Sequence, residues 1–370
     1  MNRRDFIKAT AATGAGIVLH PGISLGGNAA PGLSGKIKIG QIGVCHSHAG
    51  ARMNTLKKLS DLYEIVGVVD DRSSTAARFE KNDMKPFDGA RWITEQELFD
   101  TPGLQAVMVE TGNTDLVPFS LRCMERNLAI SMDKPGGENL KPFGKLLKGC
   151  RERKLPFQMA YMLRTNPAVQ FCQKAVRENW LGDVFEIQAG ISHNYRGEAY
   201  QRYFGHYKGG NMFILGCHHI DWIVSLLGRP EKVISILRST GGALPGVKNN
   251  CHAILEYSHA LATIHVSDME VDGDANRRVK ICGSNGTIEL RRLERFDETP
   301  LSLELRLKEA AGGYAKGNHT VEFDRVHDRY EAQLIEFAKM VRGEAVSPYS
   351  FDHDYLVQEV HLAASGYVKW

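Results

Sequence analysis

The sequence has almost no charge of one sign to spare. Its 46 Lys and Arg against 43 Asp and Glu leave a formal charge of +3 over 370 residues. That balance argues against a protein held to nucleic acid by a phosphate-binding face, which needs clustered cationic excess. Seven cysteines are scattered at positions 45, 123, 150, 172, 217, 251 and 282, with no C-x-x-C pair. This speaks against a zinc knuckle or a redox dithiol. Several sit in apolar runs and read as buried free thiols. No apolar stretch reaches the roughly 20 residues of a membrane span. No internal repeat or long low-complexity tract appears, so a solenoid is excluded. What remains is an ordinary globular composition, 43% hydrophobic and 24% charged, long enough for two domains with cores.

Residues 1–30 stand apart. Asn2-Arg3-Arg4-Asp5-Phe6-Ile7-Lys8 precedes a weakly apolar run from Ala9 to Leu19, and Asn28-Ala29-Ala30 offers small residues of the kind signal peptidases accept. The segment resembles a twin-arginine signal, which implies an exported, periplasmic or otherwise extracytoplasmic bacterial protein. The alternative is an amphipathic helix with a chance Arg-Arg.

From Lys36 the chain alternates strand and helix. Lys36 to Val44 reads as a strand, Ala49 to Leu59 as a helix, and Tyr63 to Val69 as a strand ending in Asp70-Asp71-Arg72. That is the strand, turn, helix, strand, acid order of a dinucleotide-binding unit, with Asp70 placed to take ribose hydroxyls and Arg72 keeping a 2′-phosphate open. The glycine fingerprint is degraded. Gly43 can make the tight turn, Cys45 stands at the second glycine, and His48-Ala49-Gly50 covers the third. His46 and His48 in this turn could donate to phosphate, ligate a metal, or belong to a solvated loop. No metal ligand is assigned.

The alternation continues through helices at Ser74–Lys81, Thr94–Phe99, Leu116–Arg126 and Leu140–Arg153, a short extended piece at Trp92, and strands at Ala106–Glu110, Leu128–Met132 and Pro156–Tyr161. Strands separated by helices predict a doubly wound parallel sheet. Ser131-Met132-Asp133-Lys134-Pro135-Gly136-Gly137 sits at a strand end, where open α/β sheets bind ligands. Pro135 restricts Lys134 to an extended conformation. Lys134 is then either a directed active-site lysine or a surface lysine in a turn.

From Pro167 the texture changes. An amphipathic stretch (Pro167 to Asn179) and a strand (Val184 to His193) lead to a polar aromatic loop, Tyr200 to Tyr207. Lys208-Gly209-Gly210 through Gly216-Cys217-His218-His219-Ile220-Asp221 then runs into a helix near Ile220. Five extended segments follow, Glu231–Thr240, Asn250–Tyr257, Ala260–Asp268, Arg277–Cys282 and Gly286–Leu290, with a tight-turn signal at Asn285-Gly286. Strands without intervening helices predict an antiparallel sheet in an α+β domain. His327–Gly343 and Asp352–Trp370 read as closing helices.

Three separated motifs now agree in order: the nucleotide-type opening, Asp133-Lys134-Pro135, and the Gly209-Gly210 to Asp221 segment. They resemble the glucose–fructose oxidoreductase / inositol dehydrogenase (Gfo/Idh/MocA) family, as do Arg164-Thr165-Asn166-Pro167 and Gly283-Ser284-Asn285-Gly286-Thr287. The resemblance covers roughly residues 36–370. It implies an N-terminal Rossmann domain (36–155) and a C-terminal α+β domain (156–370) on an open, mostly antiparallel sheet, whose last helix packs back on the first domain.

The resemblance also implies NAD or NADP, a sugar or cyclitol substrate, and a homodimer or homotetramer formed through the C-terminal sheet. It implies neither nucleic acid nor a membrane anchor. The family's lysine matches Lys134 and its histidine His218. The Glu before that lysine is Asp133 here, and the carboxylate four residues before the histidine falls on Ile214.

His218 is thus expected as general base, with Lys134 stabilising the developing oxyanion. The other reading makes His218 a helix cap. Cofactor contacts are expected from Gly43, Cys45, His46, His48, Asp70, Arg72, Thr111, Asn113, Asp133, Lys134 and Pro135. Substrate contacts are expected from Tyr161, Arg164, His193, Tyr195, Arg196, His218 and His219. Tyr161 could equally be core, His219 helix packing, and Asp221 structural.

Three functions fit: a nicotinamide-dependent oxidoreductase; a glycoside-cleaving enzyme with retained NAD acting through a 3-keto intermediate; and a non-redox sugar- or metal-binding member.

Overall fold

The apolar runs of the first half close into one parallel sheet. In the computed structural model, which describes residues 35–73, 83–194, 197–294 and 299–370, these runs are β1 (Ile37–Ile42), β2 (Tyr63–Val69), β3 (Ala106–Val109), β4 (Ala129–Met132) and β5 (Phe157–Met159). They lie in the order β2-β1-β3-β4-β5, every pair parallel. β3, β4 and β5 are buried along their whole length, as strands covered on both faces must be. Helices α1 (Ala49–Lys58), α2 (Glu95–Phe99), α3 (Leu116–Glu125) and α4 (Leu140–Arg153) return the chain between strands. Local chemistry fixes their starts. Thr94 and Glu97 form a capping box on α2, and the Asn139 side chain accepts from Lys141 N at 3.0 Å to open α4. The strand order reverses between β1 and β3. The crevice at their carboxyl ends is therefore the topological switch point, where such sheets bind ligands.

The second half builds an eight-stranded sheet, β13-β12-β11-β10-β6-β9-β8-β7, antiparallel except for the β6–β9 pair. Its strands are β6 (Val184–Gly190), β7 (Lys232–Arg238), β8 (Asn250–Glu256), β9 (Leu261–Ser267), β10 (Arg278–Gly283), β11 (Gly286–Arg291), β12 (Leu301–Leu307) and β13 (Gly317–Phe323). Inward residues such as Ala253, Leu255, Ile264, Ile281 and Leu305 are buried. The alternate residues face outward, so one side of the sheet forms core. Helices α5 (Pro167–Arg177), α6 (Glu198–Gly205), α7 (Cys217–Leu227), α8 (Glu331–Val341) and α9 (Phe351–Ala364) complete the fold. Asn166 caps α5 through Ala168 N and Val169 N, with Pro167 pre-set at the first helical position. α9 lies along α4, where Gln358 accepts from Gly136 N at 3.0 Å and donates to Gly137 O at 2.5 Å. All described parts belong to one compact unit, and no helix in it is long and apolar enough to cross a membrane. All seven cysteines are buried and free.

Several expectations change. Tyr200–Tyr207 is not a loop but mostly helix α6. Tyr200, Tyr203, Phe204 and Tyr207 fall at helical spacing and stack on one face, with the Tyr200–Tyr203 and Tyr203–Tyr207 centroids 6.0 and 5.9 Å apart. The helix expected near Ile220 begins at Cys217 and continues a π-turn, Met212–Gly216. β12 and β13 were not expected at all, although Leu301, Leu303, Leu305 and Leu307 alternate throughout β12. The 1–30 segment, the helix at 74–81, Tyr195 and Arg196 lie outside the described residues.

Candidate active site

The turn after β1 is built as a glycine turn with an acid set into it. Gly43 has φ +94°, and a Cβ there would meet Thr111 N at 2.5 Å and Glu110 O at 2.7 Å, so no other residue fits. Asp71 Oδ1 accepts from Val44 N (2.8 Å) and Cys45 N (3.1 Å), and its Oδ2 from Gly112 N (3.3 Å). Asp71 therefore ties the β1 turn to the β3 turn. Burial nevertheless raises its pKa, because those three donors only partly offset the lost hydration. Asp70 points outward and pairs with Arg72 at 2.6 Å, while Arg72 also lies over Trp92. The acid that faces the crevice is the neighbour that the sequence reading passed over.

Below the turn lies a buried polar cluster. His46 and Asp133 are fully buried, and His48 is 19% exposed at the mouth. His46 Nδ1 and His48 Nδ1 stand 3.3 and 3.0 Å from Asp133 Oδ2. His46 Nε2 meets Asn113 Oδ1 at 3.1 Å, and Asn113 Nδ2 donates to Tyr203 Oη at 3.0 Å. The solvated-loop reading of His46 is thus excluded. Burial pushes His46 down to about 3 and lowers His48 as well. Burial alone would raise Asp133, but His46, His48 and Arg52 outweigh it and hold the carboxyl well below its usual range. Glu110, also buried, is raised by desolvation and by Asp133 beside it, despite Arg52 Nε at 3.0 Å. Thr111 is buried between these turns.

Lys134 projects from the end of β4 toward the second sheet. It is buried, precedes a cis Pro135, and its Nζ donates to Ile214 O at 3.1 Å. The carbonyl is exposed to it by the π-turn, whose bonding pattern departs from the α-helical ladder. His218, in the first turn of α7, is not a cap. It is buried, its Nδ1 has no hydrogen-bond partner among the described residues, and Tyr161 packs edge-on to its ring at 6.1 Å. Burial, then the neighbouring Lys134 charge, depresses His218 well below the ordinary histidine range, so it is neutral and basic at one nitrogen.

The remaining expected substrate residues divide. Arg164 is committed elsewhere: it pairs with Asp221 at 2.6 Å and also with Asp354, and stacks over Tyr349. Asp221 is accordingly structural, held below its usual value by Arg164 and His353 against the opposing effect of burial. His219 is core, accepting from Trp222 Nε1 at 2.9 Å. Tyr161 is core that braces His218. His193 sits beside Asp274 (3.0 Å) and Arg277 (2.7 Å), and burial and then Arg277 push it down to about 4. Residues the sequence reading missed are Arg52, Asp71, Glu110, Asp274 and Arg277. Only Glu110 carried a signal, an acid closing an otherwise apolar strand.

Residues 169–289 match the GFO/IDH/MocA C-terminal domain, and residues 1–20 match the twin-arginine translocation pathway signal sequence. A bovine (Bos taurus) trans-1,2-dihydrobenzene-1,2-diol dehydrogenase is 23% identical over 235 residues, 62% of this chain and 66% of that protein. The match thus spans just under two thirds of that relative's length. An oxidoreductase from Agrobacterium radiobacter, solved with NAD+, L-tartaric acid and magnesium, aligns with TM-score 0.71 at 14% identity over 89% of this chain and 95% of that one. The WlbA dehydrogenase from Chromobacterium violaceum, solved with NADH and UDP-GlcNAcA, aligns with TM-score 0.68 at 17% identity over 90% and 94%. The two-sheet architecture is the fold these two solved oxidoreductases share with the chain. Residues 169–289 thus carry a GFO/IDH/MocA C-terminal domain, and residues 1–20 a twin-arginine export signal.

Proposed function

We propose that the chain is an NAD-dependent oxidoreductase acting on a hydroxyl of a sugar, sugar derivative or cyclitol, with His218 as base and Lys134 as its electrostatic partner. The observation that carries this is the buried, neutral His218, whose Nδ1 has no partner among the described residues, set beside a buried lysine. An imidazole in that state accepts a hydroxyl proton without first losing one of its own. Lys134 spends one donor on Ile214 O and keeps others for the substrate oxygen as negative charge develops on it. Tyr161 fixes the imidazole edge, and His193 would line the substrate side.

The crevice between β1 and β3 fits a dinucleotide. Its glycine turn admits no side chain, and α1 begins without a side-chain cap or an acid in its first turn, leaving a positive helix end for phosphate. Gly43, Cys45, His48, Asp71, Thr111 and Asn113 would hold the cofactor, NAD more readily than NADP because Asp70 occupies Arg72. Bound there, it would supply the hydride acceptor.

In this reading residues 36–155 hold the cofactor, and 156–370 bind substrate and self-associate through the outer sheet face, where Leu261 is 50% exposed. Light scattering of Leu261→Asp tests that face, and an unchanged mass would remove it. The export signal favours a periplasmic location. It also favours the second reading, glycoside cleavage through a 3-keto substrate with a retained cofactor, because free NAD is scarce outside the cytoplasm.

Denaturing protein purified from the cytoplasm and analysing the released small molecules tests the proposal. A stoichiometric dinucleotide is expected. The absence of both a retained dinucleotide and binding on addition would overturn the redox reading, and net turnover with added NAD separates oxidation from cleavage.

A further inference from the structure

Two histidines spaced H-x-H across the first turn, and an aspartate 85 residues further on, converge on one point. One ligand atom from each of His46, His48 and Asp133 lies within 4.8 Å of the other two. Two of the separations, 3.3 and 3.0 Å, are close to the roughly 3.3 Å between ligand atoms about 2.0–2.1 Å from a tetrahedral ion.

The surroundings orient each donor. Asn113 gives its amide N–H to Tyr203, so its Oδ1 is the acceptor and His46 Nε2 carries the hydrogen. His46 Nδ1 accepts from the His48 amide at 3.3 Å and stands 3.3 Å from the carboxylate, so its lone-pair side faces the same point as Asp133 Oδ2. The other Asp133 oxygen is held by Lys134 N at 2.7 Å, which leaves Oδ2 to the histidines. This is how metal-binding imidazoles and carboxylates are held in register by their neighbours.

A second observation points the same way. Glu110 is fully buried, and neither of its oxygens makes a hydrogen bond of good geometry among the described residues. One of them stands 4.0 Å from His46 Nδ1. Arg52 offsets part of this negative charge, with Nε 3.0 Å from Glu110 Oε1 and Nη1 4.0 Å from Asp133 Oδ2, but it lies in ion pairs and does not enter between the donors.

We propose that His46, His48 and Asp133 bind one divalent transition-metal ion of the zinc, manganese or iron class at the mouth of the β1–β3 crevice. Two imidazoles and one carboxylate suit such ions rather than calcium or magnesium, which favour oxygen donors. Three protein ligands leave a coordination position open, so the site meets a small oxygen ligand rather than closing a structural knot. Glu110 supplies the extra negative charge next to the ion.

The test is titration of the full chain, stripped with chelator, with Co2+ alone. Visible d–d absorption reports ligation, and Zn2+ competition gives affinity. One equivalent is expected. His48→Ala, at the partly exposed ligand, should weaken binding at least ~100-fold, and Glu110→Gln ~10-fold. His252→Ala on the outer sheet face should change nothing. Circular dichroism verifies that each variant is folded. No Co2+ band in the wild type, or an affinity unchanged in both His48→Ala and Asp133→Asn, overturns the proposal. Dinucleotide released on denaturing the same sample is read separately, so loss of the metal site and loss of the redox reading are distinguishable.

Discussion

Lys134 Nζ donates to the main-chain carbonyl of Ile214 at 3.1 Å. The resemblance places a carboxylate at position 214, and here a peptide oxygen released by the π-turn meets the lysine instead. The ammonium is held in place by a dipole rather than a full charge, and so keeps more of its field for a substrate oxygen.

Removing that ammonium should therefore strike turnover and spare binding. Lys134→Ala is expected to lower kcat by ~10²–10³-fold, the scale for loss of one oxyanion-stabilising group. Dinucleotide affinity should change little. Steady-state kinetics beside a fluorescence binding curve decides it. Full activity in the variant would move the active site elsewhere.

His218→Asn should reduce kcat by ~10²–10⁴-fold. The pH profile adds a readout that misfolding would not mimic. A base must be neutral, and His218 is held well below the ordinary histidine value by burial and by Lys134. In wild type, kcat/KM should stay level as pH falls from about 7.5 to about 6, where an unperturbed imidazole would begin to fail. A limb centred near the ordinary value would contradict the assignment.

The two adjacent acids after β2 should behave differently. Asp71→Asn loses a charged acceptor for three turn amides and should cost about 1–3 kcal/mol in urea denaturation. Asp70→Asn breaks only an exposed pair, worth about 0–1 kcal/mol. Equal losses would mean that the turn does not depend on Asp71.

His361, fully buried and donating to Phe213 O at 3.0 Å, is pushed by burial to about 4. Unfolded, it titrates near about 6.5, so between these values the unfolded chain binds more protons and stability rises with pH. The contribution is complete above about 6.5 and drains away as pH falls toward 4. Its share between pH 7 and 5 is about 2 kcal/mol. His361→Gln should flatten the stability-versus-pH curve by that amount, whatever it does to the absolute level. An undiminished slope would exclude this histidine as the source.

The sequence was most readable where a local rule acts alone. The alternation of apolar runs gave β1, α1 and β2 nearly to the residue, because period and turn chemistry are short-range properties. Lys134 and His218 were singled out by motif position, and both are buried. Asp71 was not, since adjacent acids at a strand end look alike until the strand twist sends one inward. Arg164 looked like a pocket residue because Asp221 and Asp354, its partners, lie 57 and 190 residues away. Helix α6 was misread because its polar aromatics suggested a loop, although their spacing was helical.

The Gln358 side chain clasps both Gly136 and Gly137, the latter 221 positions earlier in the chain. The loop that follows Lys134 is thus fastened by helix α9 of the second half of the chain. The crevice of the first half takes its full shape only when both halves have folded together. A twin-arginine leader suits such a molecule, because that pathway carries cargo across only after it has folded.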